Sequence, residues 1–232
     1  MKYKEIWKVY NKVFDITTLE VLEELKNDGF ILEDLELISE GKESVVCRSG
    51  NKAIKIYKVL NISYKNQLRY LEADPRIRSF PKTRVGIIYT WVKKEFKNLR
   101  RMFKSLVSVP VPYIYKKNVL VMEFIGEKNP APILNDIVNE IEEKEKVFND
   151  IIKEYRKIIH RAKLVHGDFS SFNIIYFKNK IYVIDVSQAI PINSPAAQEM
   201  LDNDIKNIYL IGKKLGLNVD IDIIKETILN RF

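Results

Sequence analysis

The sequence predicts an α+β fold in two lobes, a strand-rich N-terminal half joined to a helix-rich C-terminal half. Three observations predict it. Residues 35–57 read as strand, turn, strand, turn, strand: LELIS, the turn EGKES, VVCRS, a second turn at Gly50-Asn51, and AIKIY. Residues 119–125, VLVMEFI, are an apolar run broken by one acid, as in a buried strand, and Gly126 opens a connector behind it. Beyond that connector the period becomes helical: Val147, Phe148, Ile151, Ile152, Tyr155, Ile158 and Ile159 form one apolar stripe between residues 147 and 162. A chain of 232 residues, 46% hydrophobic, can bury a large core as one domain or two packed lobes.

The elements follow in order. Residues 18–28, TLEVLEELKND, set Leu19, Leu22 and Leu25 at helical spacing behind a threonine cap, with Gly29 as the stop. The strand meander comes next. Residues 59–89 carry basic residues, Asp74-Pro75 and Ser79-Phe80-Pro81 with no regular period, which predicts a long, partly mobile insertion. From Thr90 to Phe103 the apolar positions Trp91, Val92, Phe96, Leu99 and Phe103 predict a helix with its basic residues on the opposite face. Residues 174–184 read as a hairpin, IIYF and IYVI, turning at Lys178-Asn179-Lys180 with Asn where a positive φ is tolerated. Two helical stretches separated near Gly216 close the chain. The resulting division is an extension with a short helix (1–34), a strand-rich lobe including the 59–89 insertion (35–125), and a helical lobe (126–232).

Composition narrows the function. Thirty-nine Lys and Arg against 31 Asp and Glu give +8, which favours polyanionic partners. The single Cys47 makes no internal disulfide, and with two histidines a Cys/His metal site is excluded. The N-terminus alternates charged and apolar residues, unlike a signal peptide, and no run approaches a membrane span, so a soluble, cytoplasmic protein is expected.

The chemistry concentrates in LVHGDFSSFN, residues 164–173, and VIDVSQ, residues 183–188, on either side of the hairpin. Folding back, the hairpin returns Asp185 near Asn173, where a carboxylate and an amide oxygen suit a hard cation shared with phosphate oxygens. The spacing matches the H-x-D-x-x-x-x-N loop of protein kinases, in which Asp, here Asp168, accepts or orients the nucleophile's proton. Taken singly, each of these residues is an ordinary turn cap or strand end; their joint spacing is what points to catalysis. His166 is read as packing and bonding the backbone. Lys55 lies inside the apolar strand AIKIY, where an inward charge needs an anion, and Glu95 in WVKKEFKNL offers one from the following helix. The turn SEGKES could bring backbone N–H groups and hydroxyls over phosphates, although with one glycine it also reads as an ordinary hairpin turn; no P-loop stretch exists in the chain.

In order and spacing, VFDITTLEVL, SEGKES, AIKIY, TWVKKEFKNLRR, VPVPYIYKKNVLVMEFIG, APIL, LVHGDFSSFN, IDVSQAI and LDNDIKNI make the chain resemble the RIO family of atypical serine/threonine protein kinases, its archaeal type-one branch. The resemblance implies a two-lobed protein-kinase-like fold without the activation segment or peptide-binding subdomain of ordinary kinases. It implies ATP and magnesium, with manganese as an alternative ion. Asp168 would be the catalytic acid/base and Asn173 and Asp185 the metal ligands. Asp185 would also accept a phosphoryl group transiently. Ser39, Lys42, Ser44, Lys55 and Glu95 would serve the nucleotide, Met122 would guard the adenine pocket, and backbone groups of Glu123 and Ile125 would bind adenine. Implied activities are ATP hydrolysis, Ser/Thr phosphorylation and self-phosphorylation, at Ser63 or Ser79. The implied setting is maturation of the small ribosomal subunit, with the pre-ribosomal particle and its RNA as partners and the protein a monomer. The chain departs from its relatives at Glu40, an extra acid near the expected phosphates, and at Gly167, Phe169 and Ser194-Pro195. Two other readings compete: a small kinase of the tRNA threonylcarbamoyl-adenosine machinery or an aminoglycoside-type phosphotransferase, against which IDVSQ argues, and a catalytically silent RNA-binding scaffold.

Overall fold

The computed structural model describes residues 15–32, 34–59 and 64–230. Its first helix, α1 (Ile16–Asn27), starts ahead of the expected position because Asp15, not a threonine, is the cap: its carboxylate accepts the Thr18 N–H at 2.9 Å. Val21 and Leu25 are buried, and they pack on one face of a five-stranded sheet.

That sheet contains β1 (Glu36–Glu40), β2 (Ser44–Ser49), β3 (Lys52–Tyr57), β4 (Pro112–Lys116) and β5 (Val119–Glu123), in the order β1-β2-β3-β5-β4. Strand alternation sorts its residues. Ile54 and Ile56 of β3, with Val119 and Val121 of β5, face α1, whereas Tyr57 and Leu120 join the core of the helical half. Lys55 is cross-strand from Leu120 and so belongs to that second face. β4 is an edge strand that the sequence pattern does not separate; Pro112 at its start and Pro110 before it obscure the period, and an edge tolerates proline.

The 59–89 segment differs from expectation. It contains a helix, α2 (Lys65–Glu72), and the first turns of α3 (Arg84–Lys104), which is capped by Thr83 and longer than its apolar stripe suggested. Leu71, Ile87 and Ile88 are fully buried, so these two helices belong to the core. The expected solvent face of α3 is also corrected: Lys94, 3% exposed, points inward, while Phe103 at the last turn is 44% exposed and Met102 takes the buried place.

The helical half begins with the short α4 (Leu134–Ile137) and α5 (Lys144–Lys157), which ends in a π-helical turn at Ile158–Ala162. β6 (Leu164–Val165) pairs with β9 (Ile190–Pro191), and β7 (Ile174–Phe177) pairs with β8 (Lys180–Val183). Lys178 and Asn179 both adopt positive φ in the β7–β8 turn. α6 (Ala197–Lys214) and α7 (Ile221–Leu229) complete the described chain around Gly216. One continuous buried cluster runs from Tyr57 and Leu71 to Ile228, joining the halves.

Candidate active site

Two ladders place the chemistry. The β6–β9 pair brings residues 166–168 beside the segment after Asp185, and the β7–β8 hairpin closes with the Ile184 N–H donating to Asn173 O at 3.0 Å. Asp185 therefore comes back to Asn173 in a left-handed conformation, φ 53°, rare for a non-glycine residue. From the sheet, Lys55 Nζ reaches Glu95 Oε1 at 2.8 Å and Asp185 Oδ1 at 3.2 Å. Residues distant in sequence thus meet where the two halves join.

Electrostatics follow from that meeting. Burial opposes the Lys55 charge, yet Asp185 and Glu95 override it and hold the ammonium well above the ordinary lysine range. Burial also pushes the Glu95 carboxyl up against the pull of Lys55, and the Tyr57 hydroxyl donates to its other oxygen at 2.5 Å. Asp185 is held low: Lys55 and the Ser187 hydroxyl, which donates to Oδ1 at 2.9 Å, outweigh desolvation. Asp168 is the opposite case, raised by desolvation and further by the Asp185 charge, with His166 and Asn173 pulling the other way.

Around Asp168 the loop is tied down. Asn173 Nδ2 donates to Asp168 O at 2.8 Å and Oδ2 at 3.2 Å, and Gln188 Nε2 approaches Oδ2 at 3.4 Å. His166, fully buried, accepts the Asp168 N–H on Nδ1 at 3.3 Å, so Nε2 carries the proton and donates to Ile184 O at 3.2 Å. Its expected packing role is what the geometry gives it. With its nitrogen turned to Asp168, Asn173 leaves Oδ1 without a hydrogen bond among the described residues, and Asp185 Oδ2 likewise accepts none. Two hard oxygens of this kind fit Mg²⁺ when water and phosphate complete its shell. Among the described residues no group of three His, Cys, Asp or Glu could hold a metal unaided.

The other expected residues are more dispersed. Ser39 and Lys42 are exposed and Ser44 is half-buried at the β1–β2 turn, which closes with the Gly41 N–H donating to Ser44 O at 2.9 Å. Glu40, the extra acid, is engaged by Lys58 at 2.7 Å. Met122 is half-buried on β5, in register with Ala53. The Glu123 N–H donates to Val111 O at 2.8 Å, while the Ile125 N–H has no acceptor among the described residues. Ser63 and the Val13-Phe14 start of VFDITTLEVL lie outside the described residues; Ser79 is exposed.

Sequence reasoning missed five contributors. Asp204 on α6 is fully buried and accepts the N–H groups of Gly167 at 2.8 Å and Phe169 at 2.9 Å, and the Tyr155 hydroxyl at 2.8 Å. An acid inside the apolar stripe Met200, Leu201, Ile205, Ile208 was the available signal. Tyr57, two residues after Lys55, shares its strand face. Glu43 is half-buried and raised, first by burial, with the Gln67 amide opposing and Asp185 adding. Lys94 donates to the carbonyls of Ser187 at 2.6 Å and Ala189 at 2.9 Å, and Asn98 donates to those of Val186 and Ala189, each at 2.8 Å, so α3 grips the segment behind Asp185.

Comparison with known proteins shows the family and the fold. The RIO domain model matches residues 39–224. The RIO-type serine/threonine-protein kinase Rio1 of Haloferax volcanii is 33% identical over 97% of this chain and 79% of its own length; that of Methanocaldococcus jannaschii is 36% identical over 89% and 72%. Among solved structures, the Rio2 kinase of Chaetomium thermophilum, an ADP/Mg²⁺-phosphoaspartate complex, superposes with a TM-score of 0.63 at 17% identity, over 89% of this chain and 64% of that longer one. At that identity the likeness shows the fold alone, which is α+β and kinase-like. On the matches that span nearly all of it, the chain belongs to the RIO family of serine/threonine protein kinases.

Proposed function

We propose that this kinase uses ATP and magnesium both to phosphorylate serine or threonine hydroxyls, its own included, and to hydrolyse ATP, in the cytoplasm and as a monomer, during maturation of the small ribosomal subunit. The observation that carries the reading is Lys55 bridging Glu95 and Asp185 beside the Asp168–Asn173 loop. Lys55 would meet the α and β phosphates, positioned by Glu95. Ser39, Lys42 and Ser44 would cover the triphosphate, Met122 would border the adenine, and Glu123 O and the unengaged Ile125 N–H would bind its edge. Asn173 and Asp185 would hold Mg²⁺, or Mn²⁺ in its place, which when bound neutralises charge on the transferred group.

In the kinase reaction Asp168 takes the proton of the attacking hydroxyl, the new bond forms at the γ-phosphorus, and ADP leaves with the bridging oxygen. In the hydrolytic reaction Asp185 supplies the acceptor oxygen; ADP departs, and water then cleaves the acyl phosphate to restore the carboxylate and release phosphate. The phosphoaspartate of the Chaetomium Rio2 complex supports this second route. Purified protein with γ-labelled ATP and Mg²⁺ should label itself and release phosphate, and Asp185→Ala should abolish both. Normal rates in that variant would remove Asp185 from the chemistry. Pre-ribosomal particles should stimulate release, and indifference to them would separate the enzyme from ribosome assembly.

A further inference from the structure

Outside the phosphotransfer cluster, cationic side chains concentrate along α3. Two clefts meet there and share Arg76. The first, about 470 Å³, lies between residues 74–81 and α3 and presents Arg76, Arg78, Lys93 and Lys97. The second, about 540 Å³, continues past Arg76 to Arg101 and Lys163. Among the described residues the only acid on either wall, Asp74, is buried and already engaged: Arg76 donates to Oδ1 from N at 3.0 Å and Nε at 2.9 Å, and Arg76 Nη2 lies 2.6 Å and Lys94 Nζ 3.8 Å from Oδ2. Arg78, Lys93, Lys97 and Lys163 make no ion pair among the described residues. The cations also oppose one another: after burial, the charge of Arg76 is what lowers Arg101. Such crowding is unfavourable unless an anion relieves it.

The shape selects the anion. Lys93 to Arg101 spans about 12 Å of helix at ~1.5 Å per residue, so one phosphate cannot reach both ends. A peptide carrying a single phosphate would leave most of the strip unsatisfied. A chain with one charge per repeating unit satisfies all of it, and guanidinium forks suit phosphate oxygens. We infer that this strip binds a nucleic-acid strand through its phosphodiester backbone, at a surface separate from the nucleotide site.

The test uses the full chain and a fluorescein-labelled oligouridylate of about 12 nucleotides, followed by anisotropy across a salt series. Arg78→Glu/Lys93→Glu/Lys97→Glu should weaken binding at least about tenfold and flatten the log K against log salt slope by about 2, at ~0.7 for each phosphate no longer neutralised. Lys153→Glu/Lys206→Glu/Lys213→Glu, exposed positions on α5 and α6 with the same change in net charge, should cost less than about threefold. Thermal midpoints establish that both variants fold; should the first not fold, the milder Arg78→Gln/Lys97→Gln must still weaken binding more than Lys153→Gln/Lys206→Gln. Equal weakening in test and control variants, displacement of the probe by ATP, or tighter binding of an equally long singly phosphorylated peptide would each overturn the inference. None of the groups around Lys55 enters it, so its failure and that of the phosphotransfer reading are separately visible.

Discussion

Asp168 and Asp185 are chemically the same side chain shifted in opposite directions. Asp185 is lowered by Lys55 and Ser187, so it stays ionised as pH falls, and the stability it lends above the ordinary aspartate range is lost only below that range. Asp168 is raised, and a base must be unprotonated to act, so the acid limb of the pH–rate profile should lie above the 3.8 of an ordinary aspartate. A limb at or below that value would exclude Asp168 as the titrating base. Lys55→Met should reduce ATP turnover at least about a hundredfold, and by leaving Glu95 buried beside Tyr57 without its cation it should destabilise the fold by roughly 3 kcal/mol in urea titration. Lys55 stood out as a charge inside an apolar strand, and Asp168, Asn173 and Asp185 by their joint spacing, with Glu95 offered by the following helix. Tyr57 and Asp204 did not stand out, because their roles depend on which buried donor or acceptor faces them across the fold.

At the scale of elements, the loop carrying Asp168 and the segment behind Asp185 are each held by a helix. α6 holds the first through Asp204. Asp204→Ala would strand two backbone donors and a phenol, and should cost roughly 3 kcal/mol and lower kcat with little change in KM; Asp204→Asn, which keeps one acceptor oxygen, should recover part of both. α3 holds the second through Lys94 and Asn98. Burial lowers Lys94 to about 7, so the folded protein carries fewer protons than the unfolded chain from there up to the ordinary 10.5. Stability from this group therefore rises with pH across that window, and Lys94→Met should abolish the rise, as urea midpoints at about pH 6.5 and about pH 9.5 would show. The sequence pattern placed Lys94 on the solvent face because an apolar stripe says nothing of a lysine that reaches backbone carbonyls. For the same reason α2 and β4 went unread: α2 buries only Gln67 and Leu71, and β4 is an edge broken by proline.

For the molecule as a whole, the strand-rich to helix-rich order was readable because the change of period from two to 3.6 is a property of each segment alone. The single core joining the halves was not, since it depends on residues such as Leu71 and Ile88 from a stretch without visible period. Mg²⁺ and nucleotide together should raise the thermal midpoint, by about 2.7 kcal/mol of stabilisation at a hundredfold excess over Kd, and Asp185→Ala should erase the metal-dependent part. One detail sets the order of events at this junction. Lys55 arrives already flanked by two carboxylates, with Glu43 and Asp168 close by, so the neighbourhood carries surplus negative charge of its own. A bare triphosphate approaching it meets repulsion that Lys55, already paired with two carboxylates, does not cancel. Substrate should therefore dock only as a preformed cation chelate, and excess EDTA should suppress association itself rather than the subsequent transfer.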